Sequence, residues 1–431
     1  MVSPLNAQQG RVVESDSAGA EETSIPVVAR IAVPTALSLL MCNICRICMS
    51  IAVLKAGVEL GWSDTLTGLI QSSFLWGYMA TQLVGGVLAD AYGGKVIMAV
   101  SVAWFSVATF FTPLAAGFGV TALLLTRCLV GLGMGAALPC MNNLVGSKVP
   151  GGMRATVLGL SFGGFHSGNI LGLLISPFLV ASFGWRSLFY AYGIMGIPVL
   201  MFWLSTVPRA SPRETQGKAM PIGFLLSQAP TWAIFVANFV NHWGYFIYLS
   251  WLPTYFSREF GLNVASSSIF SLLPWLVMAV CSSLSGVLAD RLVNEGVRVR
   301  TVRRALQCTS FVGTGASLLL IISPIASNVG TVVPLFMLAL GLKALGQAGF
   351  VANMSDVAPT SAGKLFGLSN TVGSFAGILS VSISGYVLEK TGSFRLIFLI
   401  TAGMYLAASV VYFFLCNDEE YKYVNKAKGI D

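Results

Sequence analysis

Charge is what this chain has least of. Of 431 residues only 17 are Asp or Glu and two are His, and charged side chains of both signs make up 10% of the chain. A soluble globular domain carries roughly a quarter, so this composition cannot build a surface that faces water on all sides. No nucleophile–base set, glycine-rich nucleotide loop or zinc-ligand spacing occurs in it, so nothing points to an enzyme or to a bound cofactor. The eight cysteines, Cys42, Cys45, Cys48, Cys128, Cys140, Cys281, Cys308 and Cys416, fall in or at the edges of apolar stretches, which reads as small buried residues rather than disulfides. Cys42, Cys45 and Cys48 have the spacing of an iron–sulfur ligand run, but their place on an apolar helix beside Arg46 argues against a metal.

What the chain does have is hydrocarbon. Hydrophobic residues make up 55% of it and the mean hydropathy is +0.78. A membrane helix needs about 20 apolar residues. The sequence predicts twelve such spans, near 28–54, 66–89, 96–117, 120–145, 155–181, 186–207, 231–257, 266–289, 303–323, 331–352, 363–388 and 393–416. Gly-Val-Leu-Ala-Asp stands at 86–90 and again at 286–290, each copy closing an apolar stretch ahead of a basic segment. Gly159-Leu160-Ser161 and Gly367-Leu368-Ser369 echo each other at nearly the same offset. A repeat of this length is expected of a transporter with two equivalent halves.

The organisation that follows is a polar tail (1–27), a six-helix half (28–207), an inner linker (208–230), a second six-helix half (231–416) and a polar tail (417–431). Seventeen Lys and Arg fall in the tails and loops on the linker side and five on the other. That asymmetry predicts both termini on the cytoplasmic or stromal face. The net charge of +8 is therefore mostly topological, and nucleic acid is not an expected partner. The N-terminal tail has no cleavage site of secretory type and carries Glu14, Asp16, Glu21 and Glu22, unlike an acid-poor plastid transit peptide. A plastid address is then either atypical or absent from this chain.

Three basic residues lie inside the spans, Arg46, Arg127 and Lys343, and no carboxylate lies deep in any of them. An ionised side chain at mid-bilayer costs about 2.5–3.5 kcal/mol on insertion scales and needs a partner, a cavity or a ligand. Positive charge without internal countercharge suits an anion, and the arginine fork grips carboxylate or phosphate with two hydrogen bonds. Against this stands snorkelling of Arg46 and Arg127 toward the headgroups. For Lys343, ligand contact and a water-filled structural pocket are about equally good readings. The two histidines, His166 and His242, sit near mid-membrane, where an imidazole can relay a proton or simply hydrogen-bond a neighbouring helix. Na+ held by Asn, Ser and backbone oxygens is an alternative coupling ion.

The run from Leu69 to Tyr78, followed by Thr81-Gln82 and Gly85-Gly86, resembles the second helix of the plant and algal anion or phosphate transporters, major facilitator proteins akin to the vesicular glutamate transporters and sialin. The likeness continues at Arg46 with Met49-Ser50-Ile51-Ala52, at Arg127 with Gly131-Leu132-Gly133, at Phe183 to Tyr190, at Trp243-Gly244-Tyr245-Phe246 and at Gly367 to Thr371. The resemblance implies an all-α, twelve-helix major facilitator fold. It implies a carrier for a small anion, inorganic phosphate or an organic anion such as ascorbate or another carboxylate, working by alternating access in a plastid envelope or thylakoid membrane, as a monomer.

Arg46 and Arg127 match arginines that relatives use for the substrate anion and for gating, and Tyr78, Tyr245 and Asn370 fall in matching motifs. Asp90 with Lys95 and Asp290 with Arg291 match the family's gating loop, where an Asp caps a helix and pairs with basic groups. Relatives place a glutamate seven residues after the fourth-helix arginine. Here that position is Met134, which cannot titrate, so proton coupling through it is in doubt. A non-transporting transceptor and a passive anion channel are the rival readings, with no sequence feature of their own.

Overall fold

The computed structural model describes residues 6–149, 154–208 and 220–422. Arg209, Arg213, Lys218, Lys426 and Lys428, which the topology count used, lie outside them, and the side chains of residues 6–28, Asp90 and Arg154 are likewise not described. Every regular element among the described residues is helical. The first group comprises α1 (Asn6–Glu59), α2 (Asp64–Tyr92), α3 (Gly94–Phe118), α4 (Val120–Gly135), α5 (Ala137–Lys148), α6 (Arg154–Phe183) and α7 (Arg186–Thr206). A short α8 (Ile222–Leu226) leads into α9 (Ala229–Phe260), α10 (Val264–Asn294), α11 (Val299–Ile321), α12 (Val329–Lys343), α13 (Phe350–Val357), α14 (Ala362–Thr391) and α15 (Arg395–Leu415). The backbone of α1 begins at Asn6, well inside the segment read as a polar tail. Its apolar part starts at Ala29, close to the expected membrane entry.

Nine stretches among the described residues are long and apolar enough to cross a membrane. Three further helices of similar length, α2, α9 and α11, coincide with the other three of the twelve spans expected from the sequence. They are more polar because α2 and α9 carry Gln71, Gln82, Asn238 and His242, and α11 starts with Arg300, Arg303 and Arg304. The fourth and tenth crossings are each made of two pieces. Helix α4 ends at Gly135 and α5 begins at Ala137, while α12 gives way at Lys343 to a 3-10 turn (Ala344–Gln347) before α13. Interrupted helices at equivalent positions in two repeats mark the binding region of a transporter.

The sequence repeat is also visible as local geometry. Helix α2 is entered through Gly61, at φ +64°, and capped by Ser63, whose hydroxyl accepts from the Leu66 N–H. Two hundred residues later Gly261, also at φ +64°, ends α9, and Asn263 caps α10 by accepting from the Ser266 N–H at 2.8 Å. Glycine reaches this left-handed backbone without a Cβ penalty, and the Ser or Asn oxygen satisfies a helix-end donor.

Helices of the first group pack mainly on one another through α1 with α6, α2 with α4 and α3 with α7; those of the second through α9 with α14, α10 with α12 and α11 with α15. Two pairs, α2 with α14 and α6 with α10, carry most of the contact between the groups. We call the end of the bundle that bears residues 208–220 the linker end, and the opposite one the far end.

Candidate functional site

Between the two groups lies a cavity of about 570 Å3. Its wall includes Gly159 near the start of α6, Met354 near the end of α13 and Phe366 near the start of α14. It therefore extends from mid-depth toward the linker end. Six of the residues singled out from the sequence meet on its wall: Arg46, Tyr78, His166, His242, Tyr245 and Lys343. Among the described residues no Asp or Glu lines it.

Arg46 projects from α1 and is only 6% exposed. Its guanidinium carbon lies 4.9 Å from the centre of the Tyr78 ring, 5.2 Å from Phe74, 5.6 Å from Phe165 and 5.8 Å from Phe246. These rings come from α2, α6 and α9, so the side chain points into the protein and not toward a headgroup layer. Aromatic faces attract a cation but offer no carboxylate, and the buried Nε has no hydrogen-bond partner among the described residues. Phe74 and Tyr78 share one face of α2 through their four-residue spacing. That spacing was the signal for this cage, and the sequence reading took only Tyr78 from it.

Lys343 faces the cavity from the other group, at the last residue of α12. Its Nζ donates to Asn241 Oδ1 at 2.7 Å and lies 5.3 Å from the centre of the Tyr245 ring. Tyr245 in turn accepts from Asn169 Nδ2 at 3.3 Å, a bond between α6 and α9. His242 Nδ1 is 3.1 Å from the Asn238 carbonyl oxygen, and Asn238 donates to Ser369 on α14 at 2.8 Å. Lys343 is followed directly by the break in the tenth crossing, the 3-10 turn Ala344–Gln347.

Two expected site residues lie elsewhere. Arg127 is fully buried on α4 and does not line the cavity, and none of its three side-chain nitrogens has a hydrogen-bond partner among the described residues. Asn370 is half-buried on α14, outside the cavity wall. Met134 is buried on α4, two helical turns beyond Arg127.

Of the expected gating residues, Lys95 donates to the Leu204 carbonyl at 2.9 Å, tying α3 to α7. Arg291 pairs with Glu295, the residue just past the end of α10, at 2.8 Å, and Asp290 is exposed. A less exposed linker-end pair, not anticipated from sequence, joins Arg303 to Asp356 at 2.8 Å.

The far end is shut. Asp64 takes both Nη atoms of Arg258, one at 2.8 Å, and Glu389 accepts from the Thr65 N–H at 2.9 Å. Ser72 and Ser382 share a hydrogen bond of 2.9 Å. Gly68 and Gly385 let α2 and α14 meet backbone to backbone, since a Cβ on Gly68 would lie 2.8 Å from the Val381 carbonyl oxygen.

A cation-lined central cavity, closed at one end between two groups of helices, defines a polytopic membrane carrier. The sequence matches the Major Facilitator Superfamily over residues 35–381, and the chain belongs to that family. It is 40% identical over 395 residues to probable anion transporter 1, chloroplastic, of Oryza sativa subsp. japonica, covering 86% of this chain and 73% of that protein. It is 38% identical to sodium-dependent phosphate transport protein 1, chloroplastic, of Arabidopsis thaliana, over 86% of this chain and 76% of that one. The ascorbate transporter, chloroplastic, of the same plant is 37% identical, over 87% and 72%.

Among solved structures the fold is shared with a D-xylose-proton symporter, at a TM-score of 0.74 and 15% identity over 92% of this chain and 98% of that one. It is also shared with a bacterial homologue of the human lysosomal transporter Spinster in an inward-facing, occupied conformation, at 0.71 and 19% over 90% and 97%.

Proposed function

We propose that this protein is a secondary carrier that moves a small anion, inorganic phosphate or an organic anion such as ascorbate or another carboxylate, across a plastid membrane by alternating access. One observation carries the reading. Two buried cations, Arg46 from the first six-helix half and Lys343 from the second, face one cavity in which no described acid balances them. An anion between them neutralises both walls and draws the halves together, which gives the loaded carrier its means of closing. Tyr78 and Tyr245 flank the cations and orient the solute, and Asn241 holds the ammonium in place. Arg127 and Asn370 take part in other states of the cycle. His166 and His242 are proton-relay candidates, with Na+ as the competing coupling ion, in line with the name of the sodium-dependent relative.

In this state the cavity opens at the linker end, which the basic loops assign to the cytoplasmic or stromal side, with both termini there. Asp64, Arg258 and Glu389 form the shut gate. Asp90, Lys95, Asp290 and Arg291 belong to the gate that closes when the far end opens. The chain acts as a monomer, and its chemistry is transport and not catalysis.

The test is uptake of labelled phosphate, ascorbate and glutamate into proteoliposomes, with and without Na+ or a pH gradient. Saturable uptake of at least one anion is expected, with counterflow but no single-channel current. Binding without flux would establish the transceptor instead.

A further inference from the structure

Two cations face the cavity, and only one of them can lose its charge. The Arg46 guanidinium stays protonated in any protein environment, whereas a lysine amine held away from water can release its proton. Resting on the anion-carrier reading above, we propose that Lys343 is the coupling group of the cycle. Its Nζ carries one proton across the membrane with each anion and surrenders it to water on the side where the anion leaves.

The surroundings of Lys343 suit a charge that comes and goes. The side chain is 3% exposed, and its one hydrogen bond among the described residues goes to a neutral acceptor, Asn241 Oδ1 at 2.7 Å. A carboxylate in that place would hold the ammonium as an ion, but an amide oxygen accepts from an ammonium and from a neutral amine alike. The other ionisable groups on the described wall are Arg46 on α1, Tyr78 on α2, His166 on α6, and His242 and Tyr245 on α9. Helix α10 presents the hydroxyls of Ser282 and Ser283, while the 3-10 turn, α13 and α14 add only uncharged side chains. From α11, Ser310 donates to the Lys343 carbonyl at 3.2 Å and not to its amine, and Cys281 of α10 packs on Gly341 outside the wall. The tyrosines cannot hold a positive charge, and a proton on either histidine would put a third one beside Arg46 and Lys343.

Coupling follows from where the two cations stand. Arg46 belongs to the first half and Lys343 to the second. Tyr245 and its neighbour Phe246 span the space between them, with ring centres 5.3 Å from the Lys343 Nζ and 5.8 Å from the Arg46 guanidinium carbon respectively. If the halves close on an empty cavity with both charges present, two cations are driven together in a space that is losing its water, which is strongly unfavourable. Two compositions escape this: anion bound with Lys343 protonated, and cavity empty with Lys343 neutral. The carrier therefore crosses with proton and anion together or with neither, which is symport.

The test compares net uptake with counterflow of labelled phosphate and ascorbate, using the full chain in proteoliposomes. A pH gradient of about one unit, alkaline inside, should let the wild type accumulate anion about tenfold, and an internal pH dye should report acidification as it does so. Lys343→Arg keeps the charge but cannot discharge it, so the empty carrier cannot return and the ratio of net uptake to counterflow should fall about tenfold or more. Lys343→Gln cannot carry the proton, so the flux that remains should ignore the gradient and leave the internal pH unchanged.

Net uptake by Lys343→Arg that still follows the gradient, or flux through Lys343→Gln that still moves protons, overturns the proposal. So does a gradient response lost on replacing His166 and His242 by Gln, with counterflow intact and Lys343 in place. If Lys343→Arg does not remain monodisperse in detergent, Lys343→Gln decides the matter alone. Wild-type uptake that needs Na+ and is indifferent to the pH gradient overturns coupling through Lys343 and leaves the carrier standing, whereas a wild type that takes up neither anion overturns the carrier reading itself.

Discussion

The two ends of the bundle solve opposite problems with different residues. At the far end the halves meet through glycine, serine and one exposed ion pair: Gly68 against Gly385, Ser72 against Ser382 and Asp64 against Arg258. Toward the linker end the same halves part around a cavity whose charges are buried and unbalanced. Exposed ion pairs contribute little, about 0–1 kcal/mol, and small residues give close approach without interlocking side chains. A gate made this way holds but opens readily. The cavity, by contrast, concentrates electrostatic energy that a bound anion can redirect, so the difference between the ends gives a reason for solute binding, and not thermal opening, to drive the cycle.

The comparison breaks most severely if the cavity's cation goes. Arg46→Gln keeps the aromatic cage but removes the fork, and anion uptake in proteoliposomes is expected to fall about a hundredfold, the scale of losing a buried charge-assisted contact of about 3 kcal/mol. The closed end should be untouched: a reporter cysteine placed by Ser72→Cys stays unlabelled from the far side. Retained uptake would move the anion seat away from Arg46.

Next in size is Gly68→Leu. Its side chain must enter the space occupied by the Val381 carbonyl, so the far end cannot seal. Uptake is expected to fall tenfold or more while the Ser72→Cys reporter becomes freely labelled, and normal transport would show that the backbone contact is not the seal.

Smaller again is Arg258→Gln. Losing an exposed pair of about 1 kcal/mol shifts the balance between end states roughly fivefold. Reporter labelling should rise by that factor and should also rise in the wild type at high salt, where screening weakens the same pair.

The pattern of charge and hydropathy was enough to find the architecture, because a bilayer leaves the chain few choices: every span must be helical and nearly free of charge. Arg46 and Lys343 were legible for the same reason, since each stands alone in hydrocarbon. What sequence could not supply was depth and facing. Arg127 looked equivalent to Arg46, yet α4 turns it away from the cavity and behind Phe74. Lys343 stands at a break in the tenth crossing that apolar composition does not reveal. The far-end gate escaped notice because Asp64, Arg258 and Glu389 are unremarkable as loop-side charges. Only the packing of α2 against α14 and the reach of Arg258 from α9 to Asp64 give them a common task.

That pairing makes the smallest effect the most specific one. Glu389, near the end of α14, caps the first turn of α2 through the Thr65 N–H, so its carboxylate sits where the helix presents unpaired donors and the positive end of its dipole. Glu389→Gln keeps an oxygen that can accept the same hydrogen bond and removes only the charge. If the contact acts mainly as a hydrogen bond, labelling at Ser72→Cys should change by less than about twofold, and the change should be absent at high salt. Adding Arg258→Gln should then contribute its own increment almost independently, because Arg258 grips Asp64 and not Glu389. A double variant whose labelling far exceeds the product of the two single effects would instead show one cooperative latch, with the three charges releasing together.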